Sequence, residues 1–124
     1  MKYILISFLF ILCSCSQYSD YRTQKQVETW RQEALLKIDA EECESKGGVI
    51  QGVCMFGLPM CLISYEDGGK SCADSSECKG ECRAQNSRLE VGRKATGQCT
   101  QSNDPCGCWA QIENGVVTET ICAD

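Results

Sequence analysis

Histidine is absent from this sequence. With it go the imidazole general base, the Ser-His-Asp and Cys-His arrangements, and any His-ligated metal centre. A glycine-rich phosphate cradle is also missing, because Lys70-Ser71 lacks the glycine spacing such a loop needs. Positive charge is in short supply, with 12 Lys and Arg against 17 Asp and Glu for a net −5. Phosphate contacts need clustered cations, so nucleic acid is set aside as a partner. Beyond Leu12 no apolar run is long enough to cross a bilayer. Large apolar side chains are sparse after residue 65 (Leu89, Val91, Trp109, Ile112, Val116, Val117 and Ile121) and can bury only a thin core. Adjacent carboxylates occur at Glu66-Asp67, but beside glycines in a turn, where they read as solvated rather than tuned for catalysis. The chain therefore reads as non-enzymatic, with no cofactor and no metal ligand set.

What the chain has in abundance is cysteine, 12 residues in all. Cys43, Cys54, Cys61, Cys72, Cys78, Cys82, Cys99, Cys106, Cys108 and Cys122 form an even set after the N-terminal pair. That is roughly 9% of the chain beyond its leader, a level that marks a disulfide scaffold in a short secreted protein. A thin core needs staples. Each native disulfide typically stabilises by about 2–4 kcal/mol, so five supply most of a domain's net stability. Ten cysteines allow roughly 945 pairings, and the sequence does not choose among them. Cys106 and Cys108, separated only by Gly107, are expected to reach different partners. Two sharper uses of sulfur fit less well. Cys78-x-x-x-Cys82 and Cys106-x-Cys108 lack the C-x-x-C knuckles of zinc sites, and an oxidising compartment converts such thiols to disulfides. A thiol–disulfide enzyme built on Cys106 and Cys108 would want a helix N-terminus or a nearby cation to lower a thiol pKa, and the sequence offers neither.

The first 14 residues explain the compartment. Lys2 precedes an apolar stretch from Tyr3 to Leu12, broken only by Ser7, as in an export signal. About ten residues span roughly 15 Å as helix, half a bilayer core, so this is not a permanent transmembrane anchor. The segment Leu12-Cys13-Ser14-Cys15 resembles the lipobox of bacterial lipoproteins. The resemblance implies that residues 1–14 are a signal peptide and that Cys15 carries acyl chains. It also implies outer-membrane sorting in a Gram-negative host, since Ser16 rather than Asp follows Cys15. Losing Lys2 moves the net charge from −5 to about −6.

A tether (15–19) leads into a predicted amphipathic helix over 20–47. Val27, Trp30, Ala34 and Ile38 recur at three and four, with Leu35 widening the stripe expected to dock on the body. Thr23-Gln24-Lys25-Gln26 matches a capping box, with Ser19 or Asp20 as alternative starts, and Gly47-Gly48 is the stop. Asp39, Glu41, Glu42 and Glu44 fall near the end of that helix, where its dipole disfavours them. The stapled domain (48–124) begins with strands Val49–Phe56 and Met60–Tyr65 around a Gly57-Leu58-Pro59 turn, the most apolar part and the expected core. Asp74 or Ser75 should cap a helical turn carrying Cys78 and Cys82 on one face. Cys108–Glu113 and Val116–Cys122 flank Asn114-Gly115, the preferred type I′ pair, so a β-hairpin closes the chain; Cys108 or Cys122 or both are expected to staple it to the rest.

The run Asp67-Gly68-Gly69-Lys70-x-Cys72-x-Asp74-Ser75-Ser76-x-Cys78-x-Gly80-x-Cys82 resembles a pattern of uncharacterised exported, cysteine-rich bacterial proteins. Gly97-x-Cys99, Gly107-Cys108, Gly115 and Cys122-x-Asp124 continue the likeness, which implies a scaffold and no activity. The expected class is a small, disulfide-rich α+β domain. Function points to Arg83–Gln98, the longest cysteine-free stretch of the body, where Arg83, Arg88, Arg93 and Lys94 face one acid, Glu90. A loop fixed between Cys82 and Cys99 suits binding, with Arg88, Arg93 and Lys94 as the candidate residues; the exposed face of the helix is the alternative binding surface. The expected partners are the membrane, through the lipid, and a protein or other envelope component. The alternatives are the redox enzyme above and an inhibitor of a secreted hydrolase.

Overall fold

The computed structural model describes residues 20–124. The expected signal peptide (1–14), the acylation site Cys15, the tether (15–19) and the alternative helix start at Ser19 lie outside the described residues. What is described is a small disulfide-rich domain of mixed helix and antiparallel sheet, closed by five disulfides.

The expected single helix over 20–47 forms as two pieces, α1 (20–35) and α2 (Ala40–Ser45). After Leu36 N–H donates to Gln32 O, Lys37 and Ile38 donate only three residues back, to Ala34 O and Leu35 O, and the helix tightens and stops. Asp39 then takes an extended conformation and accepts the Glu42 N–H at 2.9 Å, the N-cap of a new helix. The acids at 41 and 42 thus occupy a first turn, where the dipole favours them, rather than the end of a long helix. Gly47 and Gly48 end α2 as anticipated. Gly47 N–H donates to Glu44 O and Gly48 N–H to Cys43 O, the paired bonds of a Schellman cap. The α1 stripe docks only partly: Val27, Ala34 and Ile38 are half-buried, while Trp30 stays 41% exposed with its ring edge-on to Phe56.

β1 (Val49–Val53) and β2 (Leu58–Leu62) form a two-stranded antiparallel sheet. The turn is Cys54–Gly57, so Leu58 and Pro59 belong to β2 rather than to the turn. Contrary to expectation this apolar hairpin is not the core: none of its residues is buried, because only the helices and one connecting segment cover it. Cys43–Cys61 holds α2 on β2, and Cys54–Cys106 holds the turn on the rest. Asn103 completes the junction, its Oδ1 accepting Ile63 N–H at 2.8 Å and its Nδ2 donating to Cys61 O at 3.0 Å.

The core lies in the five-stranded antiparallel sheet, ordered β3 (Ser71–Cys72), β5 (Gly97–Cys99), β4 (Cys82–Ala84), β6 (Gly107–Glu113), β7 (Val116–Ala123). Its buried cluster is Cys72, Cys82, Cys99, Ala110, Ile112 and Val117, so half of it is cystine sulfur. Cys72–Cys82 bridges β3 to β4 across the intervening β5. That crossing requires glycine at 97, since a Cβ there would sit 3.0 Å from Cys82 Sγ and 2.9 Å from the Arg83 carbonyl. Cys78–Cys99 lies beside it. The expected helical turn is a 3₁₀ turn, Ser75–Glu77, capped by Asp74; Cys78 ends it and Cys82 is already in β4, so the two do not share a helix face. The C-terminal hairpin forms as read, with Asn114 and Gly115 both at positive φ. Thr118 makes a bulge between the Gln111–Glu119 and Ile112–Val117 pairs. Cys108 and Cys122 are direct cross-strand partners and bond each other, so neither staples the hairpin to the rest.

Five disulfides belong to an oxidising environment, and among the described residues no helix is long and apolar enough to cross a membrane. The sequence separations of Cys72–Cys82 and Cys108–Cys122, 10 and 14, give similar loop entropies. Replacing either pair by alanine should cost about 2–4 kcal/mol, and the buried Cys72–Cys82 pair more, by about 1 kcal/mol or above for the void its sulfurs leave. Denaturant titration of the two double variants measures the difference; equal losses would contradict a sulfur-filled core.

Candidate functional site

The expected basic island divides in two. Arg83 belongs to β4 rather than to the loop, and strand alternation puts it on the face opposite the buried Cys82. Its guanidinium carbon lies 3.7 Å from the centroid of the Trp109 ring, and its Nε and Nη2 reach Glu81 Oε2 at 2.7 and 2.6 Å. Its side chain is only 17% exposed, so it is a structural cation that covers Trp109.

Arg88, Arg93 and Lys94 are exposed and enter none of the ion pairs among the described residues. The segment that carries them, residues 85–96, is nevertheless fixed. Asn86 Oδ1 accepts Arg88 N–H at 3.0 Å, a local Asx turn. Leu89 and Ala95 pack against the buried cluster on either side of the exposed tip. Residues 92–95 then run along β7. Gly92 N–H donates to Val117 O at 2.7 Å, Val117 N–H returns to Arg93 O at 2.9 Å, and Ala95 N–H donates to Gly115 O at 3.0 Å. The loop thus borrows rigidity from the hairpin, and its backbone is already ordered where it presents the cations.

The hairpin tip is itself clamped by the 3₁₀ turn. Asp74 Oδ1 accepts Ser76 N–H at 2.9 Å and its Oδ2 accepts Asn114 N–H at 2.8 Å, while Gly115 N–H donates to Ala73 O at 2.7 Å. Ser75 Oγ donates to Glu113 Oε1 at 2.7 Å and accepts from Cys82 N–H and Gln111 Nε2. These bonds hold the Asp74 carboxyl from its ordinary 3.8 down to about 2, the Ser76 hydroxyl and N–H contributing most and Asn114 N–H next.

Two grooves flank the loop's base. One, of about 480 Å³, is lined by Ser71, Asn86, Leu89 and Thr96; the other, of about 320 Å³, by Thr100, Gln101, Ser102 and Trp109. Arg83, Gln85 and Gln98 line both, so the two meet along the β4–β5 face. The sequence reading missed this amide-rich floor. Its signal is the alternation of Cys82-Arg83-Ala84-Gln85, in which every second residue points away from the core.

The other candidate groups separate. Cys106 bonds Cys54 and Cys108 bonds Cys122, so these two cysteines share no disulfide. Cys72, Cys78 and Cys99 bring their sulfurs within 4.8 Å of one another, but each is held in a disulfide and offers no thiolate. Glu66 is paired rather than free: Lys79 Nζ lies 2.6 Å from its Oε2, and that hydrogen bond and charge lower its pKa, opposite to the shift a general acid needs.

Asp74 gives a pH test of the clamp. Its pKa is depressed in the folded state, so its stabilising contribution is full above about pH 4 and vanishes as pH falls through about 2. Asp74→Asn should be less stable than the parent at neutral pH and exchange the Gly115 and Ala95 amides faster. The stability gap should close on acidification across that window; a gap independent of pH would show that the carboxylate is not the clamp. No family model, curated protein or solved structure matches the chain.

Proposed function

We propose that this is a lipid-anchored cell-envelope protein whose disulfide-stapled head is a binding module without catalytic activity. The observation that carries the reading is the set of three exposed, unpaired cations, Arg88, Arg93 and Lys94, on a loop pinned to β7 beside amide-lined grooves. Elsewhere Arg31, Lys46, Lys79 and Arg83 each have a carboxylate partner, while Lys25, Lys37 and Lys70 enter none of the described ion pairs; what sets the loop apart is three such cations within seven residues. On a chain of net −5, a local cationic tip orients an acidic partner during encounter, and the grooves beside it supply donors and acceptors for specificity. An acidic protein surface or an anionic envelope polymer has that chemistry. The leader, the lipobox-like Cys15 and the oxidised cysteines agree on an address outside the cytoplasm, in the outer membrane if the host is Gram-negative.

Two measurements test the proposal. Mass spectrometry of the protein from its host should find residues 1–14 removed and acyl groups on Cys15, and Cys15→Ala should leave the membrane fraction. An unmodified Cys15 would remove the anchor. Arg88→Glu, Arg93→Glu and Lys94→Glu together should reduce the partner recovered by crosslinked pull-down from intact envelopes roughly tenfold or more, since three rim charges each contribute some tenths to 1 kcal/mol. Unchanged recovery, with the disulfide map intact, would remove the loop from the binding surface.

A further inference from the structure

Three of the eight exposed large apolar side chains among the described residues fall together at the β1–β2 turn. Trp30, Met55 and Phe56 are 41%, 72% and 39% exposed. Trp30 and Phe56 meet edge-on with ring centroids 6.0 Å apart, and Met55 adjoins them in the β1–β2 turn. Arg31 Nε donates to Phe56 O at 2.9 Å and so fixes the turn against α1. Behind Phe56 opens a cleft of about 320 Å³ lined by Ala34, Val53, Leu58, Met60 and Pro105, with Asp124 as its one charged residue. Tyr21 and Leu35, also exposed, fall on other sides of α1 at 3.6 residues per turn, and Leu36 lies past its end. Val49 is at the end of β1 away from the turn and Val91 is on the loop between β4 and β5, so none extends this patch. Indole and phenyl rings beside an arginine are the side chains that favour the boundary between lipid headgroups and acyl chains.

We propose that the Trp30–Met55–Phe56 face seats the head on the bilayer surface. The inference rests on acylation of Cys15, and what selects lipid over another occupant is the length of chain between anchor and patch. Five residues, 15–19, reach about 17 Å when extended, at roughly 3.3–3.6 Å each. From residue 20 to Trp30 the helix rises about 15 Å at 1.5 Å per residue. An acyl group in the membrane therefore keeps the patch within a protein diameter of the headgroups at all times. Its docking is intramolecular, at an effective concentration that no soluble partner matches. With α1 laid along the surface, Trp30 and Phe56 enter the interface, while Arg31, held between Phe56 O and the Glu28 carboxylate, keeps the turn in place beneath them.

The protein carries its own reporter. It has two tryptophans, and Trp109 is only 7% exposed beneath Arg83, so membrane contact is read at Trp30. Acylated full-length mature protein is reconstituted into phosphatidylethanolamine–phosphatidylglycerol vesicles whose acyl chains carry bromine near the headgroup. Emission should shift to shorter wavelength and be quenched by the bromolipid, and Trp30→Phe should abolish both changes. Met55→Asp with Phe56→Asp should remain vesicle-bound through its lipid yet lose the quenching; Met55→Asp alone, at the most exposed of the three positions, should weaken it. Protein that cosediments with vesicles while Trp30 stays open to acrylamide and blind to bromolipid overturns the seating and leaves the anchor standing. Shielding of Trp30 that appears without vesicles and grows with protein concentration assigns the patch to a second copy and overturns it too. A Cys15 without acyl mass removes the anchor, and this inference with it.

Discussion

A domain of this length ordinarily holds together by excluding water from aliphatic side chains, and here the supply runs out after the first hairpin. The two neighbouring bridges Cys72–Cys82 and Cys78–Cys99 take over that role. Their sulfurs fill the space beside Ala110, Ile112 and Val117, and their covalent bonds tie β3 to β4 across β5 and the 3₁₀ turn to β5. Sulfur serves twice, as buried apolar volume and as a limit on the unfolded chain. Strands two or three residues long, such as β3, β4 and β5, hold a sheet because the bridges carry what a longer hydrogen-bond ladder would otherwise supply.

Order spreads outward from that point by short polar steps. The bridge over Gly97 sets β3 against β4, and the segment between them folds into the 3₁₀ turn that presents Asp74 and Ser75. Those two side chains grip the tip of the last hairpin. The hairpin in turn offers Gly115 O and Val117 to the β4–β5 loop. A surface rich in cations and amides is thereby held without an apolar layer of its own. The molecule's other end follows a different rule: β1, β2 and the helices are joined through Asn103 and single bridges, and leave rings exposed.

Much of this was legible in the residues. The disulfide class, the Asn114-Gly115 hairpin and the separate partners of Cys106 and Cys108 follow from composition and from turn chemistry. The break at Asp39 was written there too, since Asp39-Ala40-Glu41-Glu42 has the form of a capping box, but the apolar stripe running through Ile38 masked it. The core was misplaced because apolar density points to burial only when a second layer covers it, and β1–β2 has no such layer. The loop's fixity was hidden because its anchors, Leu89 and Ala95, matter through Gly115 and Val117, 20 or more residues away. Cys108 and Cys122 illustrate the general difficulty. Their pairing depends on a register that includes the Thr118 bulge, and no count of cysteines contains it.

The order of the bridges has a bearing on how this head withstands a broken backbone. Cutting the backbone once anywhere between Cys82 and Cys99 leaves an N-terminal piece and a C-terminal piece still joined by Cys54–Cys106 and Cys78–Cys99. Where the nick falls at the exposed tip, Leu89 on one side of it and Ala95 on the other are still packed against the buried cluster. The proposed binding segment can thus take a nick, an insertion or a replacement, and its chemistry can change, while the sulfur frame beneath it stays the same.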